Sequence, residues 1–231
     1  GKVNINNRNE LLLEIHPINP PFAYAAIVRE LETGKLKYTV IEPILSETDI
    51  EAIEKIKKYV LEDRKIDLKI IKNEKLFISY LKSLIEKLIK KKKIKIDEES
   101  IDKILYYLLR DLLYYSKIDV MMRDTEIEDI SCDGTNTPIY VWHRRYESLP
   151  TNVMFTSSTE LNSFIVRLAY KAGKQISIAT PIVEGTLPEG YRVHLTHAEV
   201  SRRGSTFTIR KFRKDPYTIV DLINFGTISS E

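Results

Sequence analysis

The sequence predicts an α+β protein in two subdomains, a small strand hairpin with a helical bundle followed by an antiparallel-sheet domain. Residues 46–115 hold apolar side chains at helical spacing, whereas from Glu128 onward the texture changes to short alternating segments broken by Gly and Pro. A chain of 231 residues with 43% hydrophobic content can bury one large core or two modest ones.

Taken in order, residues 10–16 and 22–31 alternate as strands, and Glu32-Thr-Gly-Lys35 is a turn before a third strand, Leu36 to Ile41. Ser46-Glu-Thr-Asp49 has capping-box spacing with Asp in place of Glu. It opens a helix carrying Ile50, Ile53, Ile56, Lys57 and Val60 at helical spacing. A second stripe runs through Leu76, Phe77, Tyr80, Leu81, Leu84 and Leu88. A third follows at Ile101, Ile104, Leu105, Leu108, Leu112 and Tyr115, with Asp97 to Ser100 as its start signal. The lysine run Lys90–Lys93, with Lys87 and Lys95, falls where a helix ends. Cations there oppose the helix dipole and stay hydrated, and contact with anionic lipid or an acidic partner is the alternative.

The second half begins with Asp124, Glu126, Glu128 and Asp129, expected to form a solvated acidic turn because calcium-loop spacing is missing. Ile130–Asp133 and Ile139–His143 flank a Gly- and Pro-containing loop as a hairpin, and a third strand continues from Arg145 to Leu149. Tyr140 and Trp142 share one strand face beside His143, Arg144 and Arg145; they are expected to fill the sheet's core, with a stacking platform for single-stranded nucleic acid as the alternative. Ser157 or Ser158 caps a helix to about Ala172, burying Leu161, Phe164, Ile165, Leu168 and Ala169 and stopping at Gly173. Strands follow at Ile182–Leu187, Tyr191–Thr196 and Ser205–Lys211.

Composition excludes several classes. A net charge of +3, from 36 basic and 33 acidic residues, gives no general argument for nucleic acid. The single cysteine, Cys132, excludes an internal disulfide, and no apolar run approaches the roughly 20 residues that span a bilayer. His194 and His197 are three apart and point to opposite faces of a strand, so they do not begin a zinc site. What stands out is a basic hairpin, Thr186-Leu-Pro-Glu-Gly-Tyr-Arg-Val-His194 followed by Ser201-Arg-Arg-Gly-Ser-Thr-Phe-Thr-Ile-Arg-Lys-Phe212. Arg192, Arg202, Arg203, Arg210, Lys211 and Arg213 converge there unless strand alternation splits them, and guanidinium forks suit phosphate oxygens. A solvated sheet edge guarded by charge is the plainer reading.

Four ordered blocks carry a resemblance: Ile127-Glu-Asp-Ile-Ser-Cys-Asp-Gly134, Pro138-Ile-Tyr-Val-Trp-His-Arg-Arg-Tyr-Glu147, Leu187-Pro-Glu-Gly-Tyr-Arg192 and Arg203-Gly-Ser-Thr-Phe-Thr-Ile-Arg-Lys-Phe212. The stretch from about Ile118 to Phe225 resembles the N-terminal domain of the archaeal type II/type IV secretion ATPases, the motors of the archaellum and archaeal pili. Upstream, Pro21-Phe-Ala-Tyr-Ala-Ala-Ile-Val28 and Tyr38-Thr-Val-Ile-Glu-Pro43 resemble their opening more weakly. One departure is decisive. The Gly-Lys pairs Gly34-Lys35 and Gly173-Lys174 are followed by Leu36 and Gln175 and lack the upstream glycine, and Gly1-Lys2 is followed by Val3, so the sequence contains no P-loop to cradle phosphates.

The resemblance therefore implies an N-terminal fragment, with residues 1–116 as strand hairpin and helical bundle, 117–214 as a PAS-like α/β sandwich, and 215–231 as the lead-in to a missing P-loop domain. It implies a hexameric motor whose fragment binds no cofactor itself, while the parent uses ATP and Mg²⁺. Arg192 and Arg210 are expected to approach the γ-phosphate, with Arg203 helping or pairing with a carboxylate. Expected partners are the chain's own ATPase domain, neighbouring subunits, a membrane platform protein and cytoplasmic assembly proteins, with no nucleic acid. Lys90–Lys93 offer a peripheral contact at the cytoplasmic face of the membrane. The competing function is a stand-alone nucleic-acid-binding protein using the same basic hairpin.

Overall fold

A computed structural model describes residues 9–63, 73–198 and 204–211. The chain is mixed α+β, and among the described residues it holds nine strands, mostly antiparallel, and five α-helices. It divides into two compact units, the first comprising residues 1–124 with 151–153 and the second 125–150 with 154–231.

In the first unit, β1 (Glu10–Asn19), β2 (Ala23–Glu30) and β3 (Leu36–Ile41) form an antiparallel meander, in register at Ile15 with Ala26 and at Ile27 with Tyr38. The small and β-branched residues Ala23, Ala25, Ala26, Ile27 and Val28 let β2 lie buried on both faces, so it sits at the centre of the sheet. Thr151 joins β3 in parallel opposite Tyr38, and the Asn152 amide closes the edge by accepting from the Val40 N–H at 2.8 Å and donating to its carbonyl at 2.9 Å.

Three helices pack into this unit. Helix α1 (Glu47–Glu62) starts at the expected capping box: the Asp49 N–H donates to Ser46 Oγ at 3.2 Å and the Ser46 N–H to Asp49 Oδ2 at 2.8 Å. Burial opposes ionisation of Asp49, yet hydrogen bonds from Lys103 and Ser46 outweigh it and hold the carboxyl well below the usual carboxylate range. Helix α2 (Glu74–Lys90) buries Phe77, Leu81, Ile85 and Leu88, a stripe rotated from the expected one. Ile50 on α1 and Leu76 on α2, both expected inside, are half-exposed because each lies to the side of the stripe that its helix buries. Helix α3 (Ile101–Leu112) is buried over most of its circumference, including Tyr106, Tyr107 and Arg110. The short α4 (Asp119–Arg123) follows it.

The buried charged residues of this unit, Asp49, Arg110, Asp119 and Asp124, are all paired. Arg110 donates to Glu42 at 2.7 Å and to Asp111 at 2.8 Å, Lys57 reaches Asp111 at 2.8 Å, and the Tyr106 hydroxyl donates to Glu42 at 2.6 Å. Asp124 is 1% exposed rather than solvated; the Tyr38 hydroxyl donates to it at 2.7 Å and His16 Nε2 lies 3.0 Å away. Burial, and then the Asp124 charge, push the Tyr38 hydroxyl well above its ordinary value, so it stays a donor. At the end of α2, Lys90, Lys91 and Lys92 are exposed, as a hydrated helix end requires, while Lys93 donates to the Tyr59 hydroxyl at 2.9 Å.

The second unit is an antiparallel sheet in the order β6-β5-β4-β9-β8-β7, made of β4 (Ile127–Cys132), β5 (Pro138–His143), β6 (Glu147–Met154, apart from residues 151–153 of the first unit), β7 (Ile182–Thr186), β8 (Arg192–Thr196) and β9 (Thr206–Arg210). Helix α5 (Ser158–Lys171) covers one face. Its N-terminus is capped by Ser157, and it buries the five residues expected of it, Leu161, Phe164, Ile165, Leu168 and Ala169. Phe155, Phe164 and Phe207 meet with ring centroids 5.2–6.2 Å apart at the centre of this core. Gly185 lets β7 approach the end of α5, since a Cβ there would stand 2.9 Å from the Ala172 Cβ.

Candidate phosphate-binding face

The period-2 alternation that aims Ile130, Val141, Ile209 and Val193 at α5 aims their neighbours the other way. Across that second face, cross-strand pairing fixes a transverse row: Trp142 on β5 faces Asp129 on β4, Asp129 faces Arg210 on β9, and Arg210 faces Arg192 on β8. The row beside it is Tyr140, Ser131, Thr208, His194 and Glu184.

The expected arginines thus separate into three groups. Arg192 and Arg210 are directly opposed on adjacent strands and both exposed. Lys211 is carried to the other side by the alternation, is 7% exposed and sits with its ammonium 5.7 Å from the Tyr191 ring centroid. Arg202, Arg203 and Arg213 lie outside the described residues. Arg192 is delivered by the turn Leu187–Tyr191, in which the Leu187 N–H donates to the Tyr191 carbonyl and the Gly190 N–H to the Leu187 carbonyl, each at 2.8 Å. Gly190 takes φ +89 there, which a side chain would resist.

Like charges directly opposite on neighbouring strands destabilise a sheet by a few tenths to about 1 kcal/mol. Only one of the two is neutralised: Arg210 Nε donates to Asp129 Oδ1 at 3.1 Å, with the arginine side chain 73% exposed. Arg192 forms no ion pair among the described residues. Behind them lies a shallow groove of about 480 Å³ lined by Glu184, Thr186, Arg192, His194, Thr208 and Arg210. An anion placed between the guanidinium groups relieves their repulsion and gains two forks of donors.

Of the acidic stretch expected as a turn, Glu126 lies in a turn, whereas Glu128 and Asp129 belong to β4. Glu128 pairs with Arg144 at 3.4 Å, Glu126 with Arg145 at 3.7 Å and Asp129 with Arg210. The expectation that Tyr140 and Trp142 fill the core is also overturned: they are 39% and 44% exposed, and the buried side chains of β5 are Ile139, Val141 and His143. Both faces of β5 are apolar or aromatic in sequence, so alternation alone could not rank them. The neutral polar partners Ser131 and Ser148, in register with Tyr140 and Trp142, were the signal available. His194 lies in the second row and faces Glu184, 3.1 Å from its carboxylate. Cys132 is fully buried and burial raises its thiol pKa, which removes it as a nucleophile.

No family model matches the chain. Among curated proteins it is similar to three from Methanocaldococcus jannaschii. It is 42% identical to Uncharacterized protein MJ1288 over 160 residues, 69% of this chain and 63% of that one. It is 40% identical to Uncharacterized protein MJ0900 over 140 residues, 60% of this chain and 25% of that one. It is 34% identical to Uncharacterized protein MJ0781 over 130 residues, 56% of this chain and 18% of that one. The chain therefore spans under two thirds of the length of each of these relatives. Among solved structures, the VirB11 ATPase from the Brucella suis type IV secretion system, in complex with sulphate, aligns at 18% identity and a TM-score of 0.39, over 47% of this chain and 32% of that one.

Proposed function

We propose that this chain is the N-terminal interaction and regulatory part of a hexameric secretion-type motor ATPase, of the kind that drives archaellum or type IV pilus assembly. The opposed pair Arg192 and Arg210 is the observation that carries this reading. Two cations held side by side at a cost to the sheet, one of them without an acidic partner among the described residues, suit a phosphate supplied from outside this chain. The four sequence blocks resembling these motors end on those same two strands, which supports the assignment.

In this reading a P-loop domain of the parent holds ATP and Mg²⁺, and the arginines stabilise charge on the transferred phosphoryl group and register its loss. Arg203 belongs to the same proposal on sequence grounds. Neighbouring subunits, a membrane platform protein and cytoplasmic assembly proteins are the partners. No helix among the described residues is long and apolar enough to cross a membrane, and the exposed Lys90–Lys92 offer peripheral contact with anionic lipid at the cytoplasmic face.

Comparing this chain with its full-length parent tests the proposal. The chain alone hydrolyses no ATP and binds it more weakly than micromolar, and the parent hydrolyses ATP and assembles as a ring. Turnover by the pure chain, or a parent without a P-loop, overturns the reading.

A further inference from the structure

Trp142 and Tyr140 stand on the same exposed face as the arginine pair, and nothing in a phosphate-sensing role alone calls for them. An exposed indole and phenol two residues apart on an inner strand form an apolar shelf, about 7 Å from one side chain to the next. The row that begins at Trp142 continues through Asp129 and Arg210 to Arg192, one residue per strand, each strand about 4.8 Å from the last. Its chemistry is ordered as an aromatic plane, a carboxylate and then two guanidinium groups. An extended nucleotide has the complementary order of base, ribose hydroxyls and phosphates.

We propose that this face binds a nucleoside di- or triphosphate lengthwise across its strands, with the base stacked on Trp142, the ribose hydroxyls on Asp129 and the phosphates on Arg210 and Arg192. The inference rests on the proposed phosphate role of the arginines and adds recognition of the base and sugar. A carboxylate is a suitable acceptor for ribose hydroxyls, and Asp129 sits between the aromatic and cationic ends where a sugar falls. It already accepts from Arg210 at 3.1 Å, so the free face is only modestly cationic and its affinity for a lone nucleotide is weak. Ser131 and Thr208, in the adjacent row, add neutral hydrogen-bonding groups without further charge.

Trp142 is the only tryptophan of the chain, so its fluorescence reports the base subsite directly. ADP and ATP, titrated to about 10 mM at low salt, quench Trp142 with half-saturation near 1 mM. Inorganic tripolyphosphate leaves the emission unchanged and competes with the nucleotides. Arg192→Ala and Arg210→Ala weaken the nucleotide titration about tenfold. Trp142→Leu, an exposed position whose fold is checked by circular dichroism, weakens ATP about tenfold by calorimetry and leaves tripolyphosphate unaffected. Equal binding of ATP and tripolyphosphate in the wild type, or no loss of ATP in Trp142→Leu, overturns the base subsite while the phosphate role stands. Absence of any polyphosphate binding overturns both. Tighter quenching by a single-stranded oligonucleotide than by ATP, falling steeply with salt, also overturns the proposal and assigns the shelf to nucleic acid instead.

Discussion

Arg192→Ala and Arg210→Ala, introduced singly into the P-loop-containing parent, each lower steady-state ATP hydrolysis by about 10²-fold or more and leave the melting temperature unchanged. The magnitude follows from what a guanidinium does beside a transferring phosphoryl group, where such residues are worth on the order of 10³–10⁵ in rate when fully engaged. The unchanged stability follows from position. Both side chains lie on the exposed face, and the Arg210 pair with Asp129 is worth at most about 1 kcal/mol at that exposure. Removing either arginine also ends their mutual repulsion, which offsets the lost pair. Arg→Lys at either position recovers little, because a point charge does not reproduce a two-donor fork. Lys91→Ala and Lys92→Ala, in the exposed helix end of the first unit, leave turnover unchanged. Wild-type turnover in both arginine variants returns these residues to the charge-guarded sheet surface.

The second large effect is on stability. Arg110→Met destabilises the chain by about 2–4 kcal/mol, read from denaturant unfolding by far-ultraviolet circular dichroism. Its guanidinium is 10% exposed and serves Glu42 and Asp111 at once, so its loss leaves two largely buried carboxylates short of a partner. Lys57 on Asp111 and Tyr106 on Glu42 remain, which keeps the cost below that of an isolated buried charge. Burial opposes ionisation of Asp111, but Arg110 and Lys57 outweigh it and lower its pKa. A lowered folded-state pKa contributes stability that is present above the unfolded value of about 3.9 and lost as the pH falls toward the folded value. The gap between wild type and Arg110→Met therefore narrows below about pH 4. Lys55→Ala, which removes only an exposed pair with Glu51, shifts stability by less than about 0.5 kcal/mol.

Where local chemistry decides an outcome, the sequence reads through to the structure. Ser46 with Asp49, and Ser157 ahead of an apolar stripe, place α1 and α5 because orphan amides at a helix start need those side chains. The registered arginines are half legible. Alternation puts Arg210 and Lys211 on opposite faces, but which strand lies beside β9, and hence that Arg192 meets Arg210, depends on long-range pairing. The face chosen by Tyr140 and Trp142 is not legible from β5 alone, which offers an apolar side in both directions; only the neighbouring strands, through Ser131 and Ser148, mark it as the outer one. Asp124 misled for a related reason. Its charge reads as solvent-facing, and only the fold brings Tyr38 from 86 residues away to satisfy it.

The contact between phosphate and the arginine pair is tested most directly by the Arg Nε–Hε resonances of this chain during titration with pyrophosphate. The signals of Arg192 and Arg210 should shift together and saturate along one binding curve, with Arg144, Arg145 and Arg167 of the same unit unmoved. Static Arg192 and Arg210 signals, with shifts confined to the lysines of residues 90–93, would contradict the account.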